Sequence, residues 1–464
     1  MRQTRGWAAL VLAALLVGAC SSDPREPVVV PDVQTIEIDG FTARLDPSDV
    51  LTVTDNVVAC DAFGAAPVSV TEIIGRAGDA QYLLYQPSDW TEELVLFAHG
   101  WLPPSREAGV FWFDVPIGVA DTYDPAVPQD LVTLRDFLVC QGFALAASSF
   151  ERYGLAIEEG IRDSHLLNAV ARWHFGAAPR ATYVIGPSMG AGITVALAER
   201  FPHAYDGILT LCGMTGGSLL AMDHLGHVRV LADLFFPDLF DDPPFADTAL
   251  THLQHPAFQA RLVDEAFADR QALRAMGSIL LPGSDALDPD GVGLPLLPTD
   301  PAGSTTFREI RSLIESLSLP LAYYTMSIDD VRERSGAVPF DNQDLAYAGF
   351  GWDAAENAAL NESVFRYDGG AAARVYWTDY YQPTGELTIP AVAVHTTHDP
   401  GVPVSHLWAY VELVEAAGAV DWLHTWQIER FGHCTFTPEE VQAAFLGLRA
   451  WAGDGALPTL PPAP

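Results

Sequence analysis

Short apolar runs rich in β-branched and aromatic residues recur in two parts of the chain, at 81–85, 94–98, 143–148, 182–185, 207–212, 389–395 and 423–428. Runs this short and this continuous predict strands buried on both faces. Helical spacing lies between several of them. The 130–141 segment places Leu131, Leu134, Phe137 and Leu138 on one face and closes at Gly142. The pattern repeats over 158–175, stopping at Gly176 and Pro179, and over 191–201, stopping at Pro202. A fourth helix, 438–451, follows the start signal Thr437-Pro438-Glu439. Strands alternating with helices predict an α/β architecture, with a mostly parallel sheet covered on both faces.

The rhythm breaks between 214 and 387. That stretch offers helices at 218–234, 258–276, 306–318 and 328–335, a Gly/Pro/Asp-rich loop around 282–301, and aromatic-rich segments at 340–352 and 375–381. No repeat period is present. So long an interruption between two core strands reads as a large, mainly helical lid. The expected division is a leader at 1–20, a tether and N-terminal segment at 21–66, core at 67–213, lid at 214–388, core at 389–455 and a proline-rich tail at 456–464.

Composition narrows the chemistry. Of 464 residues, 60 are acidic and 24 basic, for a formal charge of −36, and every basic residue is arginine. Without lysine there is no phosphate loop of the G-x-x-x-x-G-K kind, no pyridoxal Schiff base and no Ser-x-x-Lys dyad. The acidic balance argues against a nucleic-acid partner, which needs clustered cations. A hydrophobic content of 49% supports a sizeable core.

At the N-terminus, Arg2 and Arg5 precede an apolar run at 7–17 that is too short to span a bilayer. It ends in Val17-Gly18-Ala19-Cys20, which resembles the lipobox of bacterial lipoproteins. That resemblance implies lipidation at Cys20 and an extracytoplasmic protein, anchored to the cell envelope or secreted. The proline-bearing 21–33 segment then serves as an extended tether. Cys60, Cys140, Cys212 and Cys434 can form two disulfides by three connectivities, or remain buried thiols. No C-x-x-C spacing suggests a metal site.

Ile185-Gly186-Pro187-Ser188-Met189-Gly190 follows a strand and opens a helix, the G-x-S-x-G nucleophile elbow. Its glycines are needed where side chains would strike neighbouring backbone, and the turn holds Ser188 at a helix N-terminus. Gly213-Met214-Thr215-Gly216-Gly217 also fits with threonine in the nucleophile position, but reads as the start of the lid. A serine nucleophile requires a base oriented by an acid. His433, in a glycine-hinged loop after the last strand, is the expected base. Asp399, after the preceding strand, is the expected acid, ahead of Asp421 and Asp379, which follow no core strand. The oxyanion hole is assigned to the backbone N–H groups of Met189 and Trp101, the latter in the His99-Gly100-Trp101 loop. His99 organises that loop.

These motifs resemble the α/β-hydrolase superfamily over roughly 81–212 and 389–451. The H-G turn, the elbow, His398-Asp399-Pro400-Gly401-Val402-Pro403 and the G-H-C-x-F-T-P-E-E ending are similar to secreted bacterial serine hydrolases of the esterase and prolyl-oligopeptidase-like group. The resemblance implies an eight-stranded sheet, a Ser188–Asp399–His433 triad and acyl-enzyme chemistry with no cofactor.

Other constellations carry less. His395 and His398 beside Asp399 lack helix-face spacing and further ligands, so no metal is expected. His224 and His227 read as solvated or satisfied in the core. Asp285, Asp288 and Asp290 only faintly suggest a calcium loop, since Thr299 stands where a closing glutamate is required. Trp101, Phe111, Trp112 and Phe113 could line an acyl pocket or simply pack. The reading is a carboxylic-ester hydrolase acting on a small-molecule or polymeric ester, touching a membrane only through its lipid anchor. A prolyl-oligopeptidase-like peptidase is the runner-up, and a non-catalytic binding lipoprotein on the same scaffold a third alternative.

Overall fold

The computed structural model describes residues 32–105, 134–283, 305–349 and 351–459. Cys20, the aromatic residues at 111–113 and the acidic turn at 285–291 lie outside them. Chain order begins with β1 (Gln34–Ile38) and β2 (Phe41–Leu45), an antiparallel hairpin. It continues with β3 (Val50–Val58), β4 (Val68–Ala77), β5 (Ala80–Pro87) and β6 (Glu93–Phe97). Then follow α1 (Leu134–Cys140), β7 (Ala144–Ser148), α2 (Ile157–Phe175), β8 (Ala181–Pro187), α3 (Met189–Arg200) and β9 (Gly207–Leu211). After a helical insertion, β10 (Ala391–His398), α10 (Ser405–Ala416), β11 (Leu423–Phe431) and α11 (Pro438–Asp454) complete the order.

Among the described residues the main sheet has nine strands, in the order β11-β10-β9-β8-β6-β7-β5-β4-β3. Pairing is antiparallel from β3 through β4 and β5 to β7, and parallel from there to β11. The crossover that puts β6 inside β7, followed by an unbroken parallel run to the last strand, is the α/β-hydrolase fold. The count corrects the expectation of eight strands. The additional strand at the edge is β3, whose positions are almost all exposed, Leu51, Val53 and Val57 included. A strand with no buried face carries no apolar alternation, so it is invisible to that reading.

Successive residues of each central strand feed opposite faces. In β6, Leu94 and Leu96 join the core under α2 and α3, whereas Val95 and Phe97 join the core under α1 and α11. Both faces are covered, which permits continuous apolar strands. The four cysteines pair as Cys60–Cys140 and Cys212–Cys434.

Between β9 and β10 stand α4 (Ser218–Phe235), α5 (His255–Ala268), α6 (Arg270–Gly283), α7 (Thr305–Ser335), α8 (Ala354–Ser363) and α9 (Ala371–Asp379). Two sequence expectations change here. The 258–276 helix is broken into α5 and α6 because the Asp269 carboxylate accepts the amides of Gln271 and Ala272 and caps the second helix. Conversely, 306–318 and 328–335 are one helix, α7, which runs through Pro320. Proline removes one donor but does not end a helix whose flanking positions, Leu317, Leu321 and Tyr324 among them, are buried.

α7 is fastened to the core by charge. Arg334 meets Glu159 of α2 at 2.8 Å and Asp330 at 2.9 Å, all three side chains nearly inaccessible. Asp330 also accepts the Leu155 amide at 2.9 Å, approaching so closely that a Cβ on Gly154 would lie 2.2 Å from its carboxylate. No helix among the described residues is long and apolar enough to cross a membrane.

Candidate active site

The end of β8 turns sharply into α3, and Ser188 occupies the turn at φ 55°, ψ −125°. A non-glycine residue there is strained, and the surrounding contacts explain how it is held. A Cβ on Gly186 would fall 2.2 Å from the Gly190 carbonyl, and one on Gly190 would fall 1.9 Å from the Ala98 carbonyl. Both glycines are therefore required by close backbone approach. The Ser188 amide donates to the Leu211 carbonyl at 2.9 Å, and its carbonyl accepts from Met214 at 3.1 Å.

His433 arrives from the loop after β11. Its Nε2 lies 2.9 Å from Ser188 Oγ, and its Nδ1 lies 2.9 and 2.8 Å from the two Asp399 carboxylate oxygens. The same carboxylate accepts the amides of Gly401 and Val402 at 2.8 and 2.9 Å, which fixes its position after β10. Gly401 makes room for the base, since a Cβ there would stand 3.1 Å from the His433 ring. Gly432, at φ 113°, provides the hinge, and Cys434, the next residue after His433, is tied by its disulfide to Cys212 at the end of β9. The three side chains are buried, with Ser188 at 8% exposure, Asp399 at 7% and His433 at 4%. In this arrangement the base can take a proton from Ser188 while the carboxylate holds its tautomer.

The His99-Gly100-Trp101 loop follows β6 and lies directly over the nucleophile, with a Cβ on Gly100 only 3.4 Å from Ser188 Cβ. Trp101 is fixed by its indole N–H, which donates to Ser327 of α7 at 2.8 Å, and by an edge contact with Tyr323 at 5.1 Å. Met189 opens α3, so its N–H is a first-turn donor with no acceptor inside the helix. Both residues assigned to the oxyanion hole thus flank Ser188. His99 is buried, stacks on Phe150 at 3.9 Å, and burial brings its pKa down to about 4. It organises the loop as a neutral ring.

The remaining candidates separate cleanly. Thr215 spends its hydroxyl on the His406 carbonyl at 3.0 Å and is no nucleophile. Asp421 lies in a short turn before β11, and Asp379 ends α9; neither is hydrogen-bonded to His433. His395 is buried, donates its Nδ1–H to the Thr396 carbonyl at 2.9 Å, and is held below its ordinary pKa by desolvation. Among the described residues the one grouping with metal-ligand spacing is Cys212, His433 and Cys434, and both of its cysteines are consumed in the disulfide.

A small chamber of about 30 Å³ opens in front of Ser188, with room for one or two waters. Its walls include Trp101, Leu155, Met214, Tyr323 and Val402. Leu155, Met214 and Tyr323 escaped sequence reasoning because they come from the core edge and the insertion, with no local motif to link them. The chamber also touches His224 and His406. His227, paired with the Tyr347 hydroxyl at 2.9 Å, is satisfied as expected, whereas His224 Nε2 is buried with no partner among the described residues.

No protein-family model matches the sequence, and no curated protein does. Similar solved structures include feruloyl esterase B from Aspergillus oryzae (13% identity, 88% of each chain, TM-score 0.46). Tannin acyl hydrolase from Aspergillus niger is similar at 14% identity over 90% of this chain and 85% of that one, TM-score 0.45. Candida antarctica lipase A in its closed state is similar at 13% identity over 89% and 83%, TM-score 0.39. At such identities and scores these likenesses carry no argument about chemistry, and the topology stands on its own strand order.

Proposed function

We propose that the protein is a serine hydrolase of carboxylic esters. The observation that carries this reading is the continuous hydrogen-bonded path from Ser188 Oγ through His433 to Asp399, with the serine on a strained turn at a helix N-terminus. Ser188 attacks the ester carbonyl as His433 Nε2 accepts its proton. The Met189 and Trp101 amides receive the developing oxyanion. His433⁺, stabilised by Asp399, returns the proton to the departing alkoxide, and water then resolves the acyl-enzyme by the same steps reversed. The apolar walls of the chamber and a charge of −36 favour neutral esters over polyanions.

The test is turnover of 4-nitrophenyl acetate together with labelling by a fluorophosphonate. Both are expected for the native protein, with the label on Ser188. Turnover unchanged in Ser188→Ala would sink the reading, and faster cleavage of an aminoacyl-prolyl amide than of the ester would move it to a peptidase. We further propose that the mature chain begins at a lipidated Cys20. The two disulfides suit an oxidising compartment, and Cys20→Ala should abolish incorporation of labelled palmitate.

A further inference from the structure

Behind the nucleophile chamber lies a second, larger cavity of about 300 Å³, formed by α4, the end of α6, the 345–348 segment and the start of α10. The two spaces share a wall: His224, Pro403 and His406 line both. Beyond that wall the surface is mixed, with Leu231 and Ile279 among its apolar positions and Asp223, Tyr347 and Ser405 among its polar ones.

The two wall histidines are unusual among the polar residues here. Asp223 is paired with Arg374 at 3.1 Å, and Tyr347 is engaged by His227 and by Asn342 at 3.0 Å. His406, only 1% exposed, has a buried Nδ1 with no partner among the described residues, and His224 has a buried Nε2 in the same condition. Among the described residues neither imidazole makes a side-chain hydrogen bond. Burial lowers His224 to about 4 and His406 to about 3, the latter with help from its histidine neighbours His395 and His224, so both rings are neutral near pH 7. Those two nitrogens are enclosed by protein, His406 Nδ1 lying on the Gly216 side, so the ring edges left to meet a ligand are His224 Nδ1 and His406 Nε2. Both rings stand in the wall between the nucleophile and the cavity, where a ligand can meet those edges.

We propose that this cavity is the subsite for one arm of the ester, and that His224 and His406 select an uncharged arm bearing a hydroxyl group. A neutral imidazole offers one N–H and one lone pair. A hydroxyl uses both functions, whereas a carbonyl would leave the acceptor nitrogens unmatched. A carboxylate arm is disfavoured: among the described residues no arginine lines the cavity, and Asp223 contributes to its wall. The volume falls at the lower end of those that enclose small-molecule ligands.

This inference rests on the ester-hydrolase reading, and the experiment keeps the two apart. Two matched pairs are assayed for kcat/KM: 4-nitrophenyl octanoate against 4-nitrophenyl 8-hydroxyoctanoate, and octyl acetate against 8-hydroxyoctyl acetate. The native protein should prefer the hydroxylated member at least tenfold in one pair, which also identifies the arm as acyl or alcohol. His224→Leu and His406→Leu should each bring that ratio to within about threefold of one. Because every variant is compared with itself on both members, a partial loss of folded protein cancels. Ratios near one for the native protein in both pairs overturn the proposal whatever the variants do, as does a preference that survives both substitutions. If none of the four esters is turned over and the fluorophosphonate does not label Ser188, the ester reading fails and takes the subsite with it. Turnover without selectivity removes the subsite alone.

Discussion

The sheet core and the helical insertion are stabilised in different ways. In the core, the central strands β6, β7 and β9 are buried at every position, and cohesion comes from apolar side chains alternating between two faces. The insertion is cross-linked by buried charge. Arg229 is fully buried, donates to both Asp247 oxygens at 3.1 and 2.9 Å, and lies 3.6 Å over the Phe240 ring. Arg334 does the same work between α7 and the core helix α2. Apolar alternation positions the proposed chemistry, because strand ends are rigid and shared. Ion pairs and hydrogen bonds have geometry that is specific to their partners, and they shape the space in front of it. The contrast implies that damage to the core site removes reaction without unfolding, whereas damage to the insertion's charge network removes stability first.

The largest expected effect is therefore on rate. Ser188→Ala should lower kcat/KM for 4-nitrophenyl acetate by roughly 10⁶-fold and Asp399→Asn by roughly 10⁴-fold, with the thermal unfolding midpoint of Ser188→Ala essentially unchanged. If Asp399→Asn costs less than about tenfold, Asp399 is not the group that orients His433.

Next comes the charge network. Arg334→Met leaves buried Glu159 without its cation and Asp330 with only Arg152, at 3.5 Å, and breaking a buried pair from one side typically costs about 3–5 kcal/mol. Chemical denaturation should register a loss of that size. A loss below about 1 kcal/mol would mean that the insertion is held by its apolar contacts after all, and the contrast drawn above collapses. Smaller again is the Cys212–Cys434 tie. Replacing both cysteines by serine should cost about 2–4 kcal/mol and lower kcat more than it raises KM, since the cross-link fixes the loop that carries His433 and not the substrate walls.

The same division explains what could be read from sequence. All seven strands expected from apolar runs are present, and Ser188, Asp399 and His433 meet as their positions after β8, β10 and β11 require, because elbow glycines and strand ends obey local sterics. The insertion obeys tertiary rules. Asp269 separates two helices with one side chain, Pro320 is tolerated inside a helix fastened at Arg334, and the cavity wall joins His224 of α4 to His406 of α10. Nothing in the spacing of those two histidines announces that they will line the same wall. Disulfide pairing was equally hidden, since all three connectivities fit the chain until the fold brings Cys212 and Cys434 together.

The smallest effect tests whether the insertion's interior is as dry as the core's. His99 in the core and His227 in the insertion are both brought to about 4 by burial, with nearby His224 adding to the effect on His227. A folded pKa below the unfolded value of about 6.5 means that, between pH 4 and 6.5, the unfolded chain binds a proton that the native protein refuses. The stability owed to such a site is fully present above pH 6.5 and is lost as pH falls through that window, by at most about 1.4 kcal/mol per pH unit for each histidine. His227→Gln keeps a hydrogen-bonding group for Tyr347 and removes the titration. Proton uptake on unfolding at pH 5.3, measured in two buffers of different ionisation enthalpy, should then fall by about one proton relative to the native chain. An unchanged uptake would show that water reaches His227 in the folded protein, leaving the insertion's interior wetter than the core's despite the same apparent burial.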